Sequence, residues 1–316
     1  MPKSSRTFKL PHPEPVDALV HARSGGIATF MRLPHIPDPS ELDVALLGIP
    51  FDGGTTYRPG TRFGPRRIRE QSVQIRPWNP VLHVNPFQKC RVADFGDFSV
   101  NPLSIEDTFQ RIEKQMAPLL AAEVRPISVG GDHSISLPLL RAAAKKHGPV
   151  ALIQFDAHND LWDQYFGCRY SHGTPFRRAI EEGLIREGEF LQVGLRGQVY
   201  GEDDFEFAKQ HQVRMITAEE FHAGGLAPVR NELAAFRGKP VYVTLDIDCV
   251  DPAFAPGTGT PQVAGFTSYQ IIELVRALQG LQIVACDLVE VSPPYDNGEI
   301  TSLLAANLLF EMLCLF

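Results

Sequence analysis

Four ionisable side chains fall within the short stretch FDAHNDLWD: Asp156, His158, Asp160 and Asp163. They follow directly on the apolar run VALIQ. Carboxylates at the end of a buried strand repel one another and take up protons unless a positive charge compensates them. The same form recurs at GGDH (130–133), LDID (245–248) and DLVE (287–290), each an apolar run ending in acid or imidazole. Carboxylate mixed with imidazole, without thiolate, is a donor set for hard or borderline divalent metals such as Mn2+, Zn2+ or Ni2+. The groups available exceed what one ion needs, and two ions sharing bridging carboxylates would use them all. An isolated Asp-x-Asp is most often a turn or a cap, and a lone His133 most often a satisfied core histidine. Recurrence at several strand ends is what points to a metal centre.

Such groups need elements to deliver them. Near-continuous apolar runs at 44–50, 126–130, 150–156, 190–196, 213–217, 241–248 and 281–291 read as strands covered on both faces. Amphipathic stretches at 104–122, 136–147, 175–184, 203–211, 226–237, 268–279 and from Thr301 to the C-terminus read as helices, the first opening on the capping sequence SIED. This alternation predicts an α/β fold, a mostly parallel central sheet in a three-layer α/β/α arrangement. In such sheets ligands sit at the carboxyl ends of the strands, where these acids and imidazoles fall.

The chain has 316 residues, 44% hydrophobic and 21% charged, with a formal charge of −7. It is long enough to bury a core without disulfides, and its five scattered cysteines read as reduced thiols of a cytoplasmic protein. No basic run suggests nucleic acid or a membrane surface, and no apolar stretch suits a membrane span or signal sequence. The mild acidity suits a cationic small substrate. Residues 1–25 read as an extended N-terminal arm and 26–316 as a single domain. The glycine-rich DGGTTYRPGTRFGP (52–65) lacks the spacing of a nucleotide loop and reads as a structured loop at a pocket rim or subunit contact. The arginines of TPFRRAIEEG (174–183) read as solvated or paired surface groups.

The motifs GGDHS (130–134), DAHND (156–160), SHGTPFRRA (171–179), LDIDCVDPAFAPGTGTP (245–261) and DLVEVSPPYD (287–296) resemble the ureohydrolase family of arginases, agmatinases and guanidino-acid hydrolases. So does GIPFDGGTTYRPGTRFGPRRIRE (48–70), and the resemblance covers most of the chain from about residue 25. It implies an arginase-like fold, two Mn2+ per subunit with Ni2+ or another divalent ion as alternatives, and a homotrimer or homohexamer. Carried over by position, it implies one metal on His133, Asp156, Asp160 and Asp246. A second would lie on Asp156, His158, Asp246 and Asp248, with Asp156 and Asp246 bridging. The implied reaction is hydrolysis of a guanidino compound to urea and an amine. Water activated by the ions would attack the guanidinium carbon while Glu290 holds the substrate by a bidentate pair. Asp160 would steady the tetrahedral intermediate, and His172 would carry protons to the departing amine. Two structural alternatives stand beside these roles: His172 as a cap before Gly173-Thr174, and Glu290 paired with a neighbouring arginine.

For the substrate, Trp162 stands where relatives acting on carboxylate-bearing molecules often carry Asn. An indole donates one hydrogen bond and otherwise attracts cations. That leans toward agmatine, whose tail is an ammonium. The alternative is 4-guanidinobutyrate or another short guanidino acid, to which the likeness of 26–36 and 292–315 to bacterial guanidinobutyrases points. Tyr165-Phe166-Gly167 are expected as a side wall and Asn159 as a neighbour that modulates the pocket from outside the ligand set. A binuclear metallophosphoesterase would need GDxxD and GNHE elements that the chain lacks, and a deacetylase of related fold would lack the EVSPP setting. A non-catalytic subunit of a hetero-oligomer would have lost ligand positions, and here all six are occupied.

Overall fold

Strands form where β-branched and aromatic residues run together, and in the computed structural model, which describes residues 12–316, all of them pair in parallel. They are β1 (Val44–Ile49), β2 (Val92–Asp97), β3 (Arg125–Gly130), β4 (Val150–Phe155), β5 (Ile185–Leu195), β6 (Arg214–Thr217), β7 (Pro240–Asp246) and β8 (Gln282–Val289). Their order across the sheet is β2-β1-β3-β8-β7-β4-β5-β6. The helices are α1 (Gly64–Gln71), α2 (Pro86–Lys89), α3 (Ile105–Ala121), α4 (Ser136–His147), α5 (Pro175–Glu181), α6 (Glu206–Gln210), α7 (Ala218–Gly224), α8 (Ala227–Leu233), α9 (Ser268–Ala277) and α10 (Ile300–Leu313).

Alternation along each strand divides the core in two. Val44 and Leu46 of β1 pack with α1, α7, α8, α9 and α10 on one face. Ala45 and Leu47 pack with α3, α4, α5 and α6 on the other. The expected three-layer architecture is therefore present, with the central strands β3, β8, β7 and β4 side by side. Ser104 caps α3 as the sequence suggested, accepting from the Asp107 N–H at 3.2 Å.

Some elements escape the periodicity argument. Strand β2 is VADFGD, an edge strand buried only over its first three residues, with the acids and glycine that strands disfavour. Helices α1, α2 and α7 were also unanticipated. Strands β7 and β8 stop at Asp246 and Val289, short of the expected 248 and 291, because the backbone turns away there. Of the expected arm, residues 1–11 lie outside the described part. Beyond them, Val16 N–H donates to the Arg32 carbonyl at 3.0 Å, and Arg32 Nη2 donates to the His21 carbonyl at 3.2 Å. All five cysteines are free. Among the described residues no helix is long and apolar enough to cross a membrane.

The edge strand is fixed by charge. Arg69 of α1 grips the buried Asp94 with both ends of its fork, at 2.7 and 2.9 Å, and Asp97 at 2.6 Å, while its guanidinium lies 4.2 Å above the Phe30 ring. Removing one partner of a buried pair strands the other, so Arg69→Met should cost about 3–5 kcal/mol, read as a lower urea-unfolding midpoint. A midpoint equal to wild type would mean that water replaces the pair.

Candidate metal centre

The four central strands each release a polar segment at their carboxyl ends. After β3, a Cβ on Gly131 would lie 1.6 Å from the Phe51 carbonyl oxygen, so only glycine lets the chain pass. The Asp132 N–H donates to that same carbonyl at 2.8 Å, and the next turn drives His133 fully into the interior. After β4 the chain does not stay extended. Asp160 adopts a left-handed φ of 50°. A fully extended backbone would place Asp156, His158 and Asp160 on one face; the turn departs from it at Asp160, and the groups still meet. After β7, Asp246 accepts from the Asp248 N–H at 2.8 Å in a tight turn. After β8, Glu290 is again left-handed, with φ 64°. Non-glycine residues held in this region mark places where the surroundings override local preference.

His133 Nδ1 lies 2.9 Å from Asp160 Oδ2, 3.1 Å from Asp156 Oδ2 and 3.2 Å from Asp246 Oδ2. His158 Nδ1 lies 3.0 Å from Asp248 Oδ2 and 3.6 Å from Asp156 Oδ1. Two groups of three, His133-Asp156-Asp160 and Asp156-His158-Asp248, thus share Asp156. Asp163, in contrast, pairs with Arg178 at 2.8 Å and stays outside the cluster. Arg178 is itself buried, not the surface group expected, and its charge is met by Asp163 and Glu181.

Whether these groups suit a cation is decided by one proton. Asp287 is buried and accepts from the hydroxyls of Tyr242 and Thr244, each at 2.6 Å, and of Ser136 at 2.9 Å. With its hydrogen committed there, the Thr244 hydroxyl can only accept from His133 Nε2, 2.8 Å away. The imidazole proton therefore sits on Nε2, and the bare Nδ1 faces three carboxylate oxygens without a hydrogen bond. Lone pairs converging in this way repel unless a cation lies among them. An ion about 2.1 Å from ligands set at right angles keeps neighbouring donors about 3.0 Å apart, which matches the spacing around His133 Nδ1. Oxygen and imidazole donors without thiolate fit Mn2+, Zn2+ or Ni2+.

Without a cation the cluster must share protons. Burial pushes Asp246 up, helped by Asp248 and Asp156; burial and Asp156 push Asp160 up to about 6. Burial would lower His133 and His158, but the surrounding carboxylates raise both well above the ordinary imidazole range. A proton on Nδ1 could serve only one of three oxygens. The arrangement suits a divalent ion better.

A second ring of groups, unforeseen from sequence, orients the donors. Gln154 Nε2 donates to Asp156 Oδ2 at 2.7 Å and to the His158 carbonyl at 3.2 Å. Gln192 Nε2 donates to Gln154 Oε1 and to the Asn159 carbonyl, both at 2.7 Å. The signal was legible: each is a glutamine inside an otherwise apolar strand. Arg196 donates to the carbonyls of Asp248 at 2.7 Å, Cys249 at 3.2 Å and Gln262 at 2.8 Å, bracing the Asp246–Asp248 turn.

Glu290 Oε1 accepts from the His133 backbone N–H at 2.9 Å and faces His172 Nδ1 at 3.3 Å, while its buried Oε2 has no partner. Neither structural alternative for these two residues appears. Among the described residues no arginine pairs with Glu290, and the His172 ring lies between Glu290 and Thr56. A cavity of about 670 Å³ opens beside His158, and Asn159, Trp162, Tyr165, Gln198, Tyr200, Lys209 and Thr217 are among the residues lining it. The Trp162 ring packs edgewise on Tyr165 and Tyr200, with centroids 5.8 and 5.3 Å apart. Asn159 spends its amide on Leu161 N–H at 3.1 Å and the Asp204 carbonyl at 3.4 Å. Tyr165 forms the expected wall, whereas Phe166 is 89% exposed and faces solvent.

Residues 42–314 match the Arginase family. A guanidinobutyrase of Pseudomonas aeruginosa is 49% identical over 296 residues, covering 92% of this chain and 93% of that protein. A mitochondrial agmatinase of Gallus gallus is 45% identical over 301 residues, covering 95% and 88%. The solved structure of proclavaminate amidinohydrolase from Streptomyces clavuligerus matches with a TM-score of 0.88 at 42% identity, covering 93% of this chain and 98% of that one.

Ion binding to the folded state alone would stabilise it, by about 2.7 kcal/mol per site at about one hundred times Kd. Chelator-treated protein should accordingly melt at a lower temperature and recover when Mn2+ is restored. Asp246→Ala should hold fewer ions per subunit than wild type by atomic emission. Equal metal content in the two proteins would exclude Asp246 from the centre.

Proposed function

The chain belongs to the arginase family, and from that premise we propose that it hydrolyses a short guanidino acid of the 4-guanidinobutyrate type to urea and the corresponding amine. Two divalent cations, manganese first with nickel as the alternative, would be held by His133, Asp156, Asp160 and Asp246 and by Asp156, His158, Asp246 and Asp248. The observation that carries this reading is His133 Nδ1, without a hydrogen bond and set 2.9–3.2 Å from three carboxylate oxygens. When bound, such ions supply Lewis acidity and bring the pKa of water toward neutrality.

The remaining steps belong to side chains. A guanidinium offers paired donors in one plane, matched to a carboxylate. Glu290 Oε2, buried and without a partner, is available to receive them. Asp160, turned inward by its left-handed backbone, would accept the hydrogen of the hydroxyl on the tetrahedral carbon. His172 is pushed up to about 9, because the Glu290 carboxylate outweighs the lowering effect of burial. It is therefore charged at neutral pH and able to protonate the departing amine.

The tail of the substrate is argued from the cavity. Its lining contains Arg196 and Lys209 but no aspartate or glutamate. Lys209, although paired with Glu206 at 2.9 Å, and Arg196, although bonded to backbone carbonyls, keep positive charge at the cavity wall, and Gln198 stands beside them to receive a carboxylate tail. An ammonium tail would find no carboxylate. This favours the guanidino acid over agmatine, toward which Trp162 leaned in the sequence. The indole bordering the cavity still supports agmatine as the second reading, since aromatic faces attract cations. We further propose a cytoplasmic homotrimer or homohexamer. The exposure of Leu19, Val20 and Ile27 on the N-terminal segment supports assembly.

Urea release from a panel of guanidino compounds tests the proposal. For the manganese-loaded protein, kcat/KM on 4-guanidinobutyrate should exceed that on agmatine by about tenfold or more, a difference of about 1.4 kcal/mol. The reverse ranking selects agmatine, and no urea from any compound removes the hydrolase reading. Glu290→Gln and His172→Ala should each lose about a hundredfold or more in kcat with metal content unchanged. Full turnover in either would strip that residue of its role.

A further inference from the structure

The loop Gly53–Thr56 is absorbed neither by the metal centre nor by the substrate cavity, yet it closes on the one imidazole that the reaction uses. The Gly54 carbonyl accepts from the His172 backbone N–H at 3.0 Å, and the Gly54 N–H donates to Asp132 Oδ2 at 2.7 Å. The fit is close. A Cβ on Gly54 would lie 3.0 Å from Ser134 Oγ and 3.1 Å from His172 N. At the end of this loop, Thr56 Oγ1 stands 2.7 Å from His172 Nε2 and the Thr56 N–H 3.3 Å from the same atom. Glu290 Oε1 holds the other ring nitrogen at 3.3 Å.

We propose that the Thr56 hydroxyl is a positioning group for His172: among the described residues it is the group on Nε2 that can accept from Nε2–H, which the ring keeps both before and after it gives up its Nδ1 proton. This rests on the reading of His172 as the acid that protonates the leaving amine. The reason lies in the direction of each donor. An amide N–H can only donate, so the Thr56 backbone supports Nε2 only while it is bare. A hydroxyl does both: it donates to bare Nε2 and accepts from Nε2–H. In the charged ring Nε2–H is held on Thr56 Oγ1, which leaves Nδ1–H directed to the Glu290 side where the guanidinium would sit. The C–N bond then breaks, its electron pair stays on the amine nitrogen, and the Nδ1 proton goes to that pair. The proton released when water adds to the guanidinium carbon recharges the ring. Without the hydroxyl, the charged ring would press Nε2–H against the Thr56 N–H, donor against donor. The acids that face the ring, Glu290, Asp160 and Asp132, are unchanged by such a substitution.

The test is a set of three variants of the manganese-loaded protein assayed for urea release. Thr56→Val keeps the shape but cannot accept, and its kcat should fall about tenfold to a hundredfold, the worth of a hydrogen bond to a charged group, while KM and melting temperature hold. Thr56→Ser should restore kcat to near wild type. In zinc-loaded protein with 15N-labelled histidine, where the ion is diamagnetic, the Nε2 resonance of His172 should move in Thr56→Val and return in Thr56→Ser. If Thr56→Val turns over like wild type while His172→Ala is dead, the inference falls and the reading of His172 stands. Equal impairment of the Val and Ser variants also overturns it, by pointing to packing alone. Full turnover in His172→Ala overturns both.

Discussion

Carboxylates brought together away from water repel, and much of this fold can be understood as the means of holding them together regardless. Asp156, Asp160, Asp246 and Asp248 are all buried, and each arrives on the end of a strand locked by parallel pairing on both sides. The sheet supplies the rigidity, and the two helical layers supply the low dielectric that makes the repulsion large. A cation would relieve what neither layer can. The orientation of His133 belongs to the same constraint: its Nε2–H is taken by Thr244, which leaves the other nitrogen no choice but to face the acids.

Much of this was legible in the residue order, for a physical reason. Strands covered on both faces must be apolar along their whole length, so a sudden aspartate or histidine at the end stands out against its neighbours. That contrast marked β3, β4, β7 and β8, and with them every residue of the donor cluster. It failed for β2, whose polar residues begin midway because an edge strand needs no apolar far side. It also misjudged how the donors meet. Extended backbone would have placed Asp156, His158 and Asp160 on one face, whereas the real loop turns through a left-handed Asp160. Asp163 looked like a member of the group by spacing, and Arg178 claims it instead.

What lay beyond the sequence was mostly the identity of partners across the sheet. Gln154 and Gln192 are neighbours only because β4 and β5 pair in register, Gln154 opposite Gln192. Thr56 and His172 are far apart along the chain and meet through one loop. The substrate tail is subject to the same limit. Trp162 alone suggests a cation, but the charge of its surroundings depends on Arg196 and Lys209, which arrive from elsewhere in the chain.

The hub at Asp287 ties these layers into one mechanical piece. Ser136 reaches it from α4, and Tyr242 and Thr244 reach it from β7. Tyr242 is in turn packed among Met116, Leu120 and Ala143 of the helical layer. Ordinary interior packing between α3, α4 and the sheet is thus wired, through three hydroxyls, to the angle at which a single imidazole presents its lone pair. A protein built this way has no clean border between scaffold and chemistry. Drift in its greasy interior would be felt as a change in ion affinity, and selection on the reaction would conserve residues that never approach the substrate.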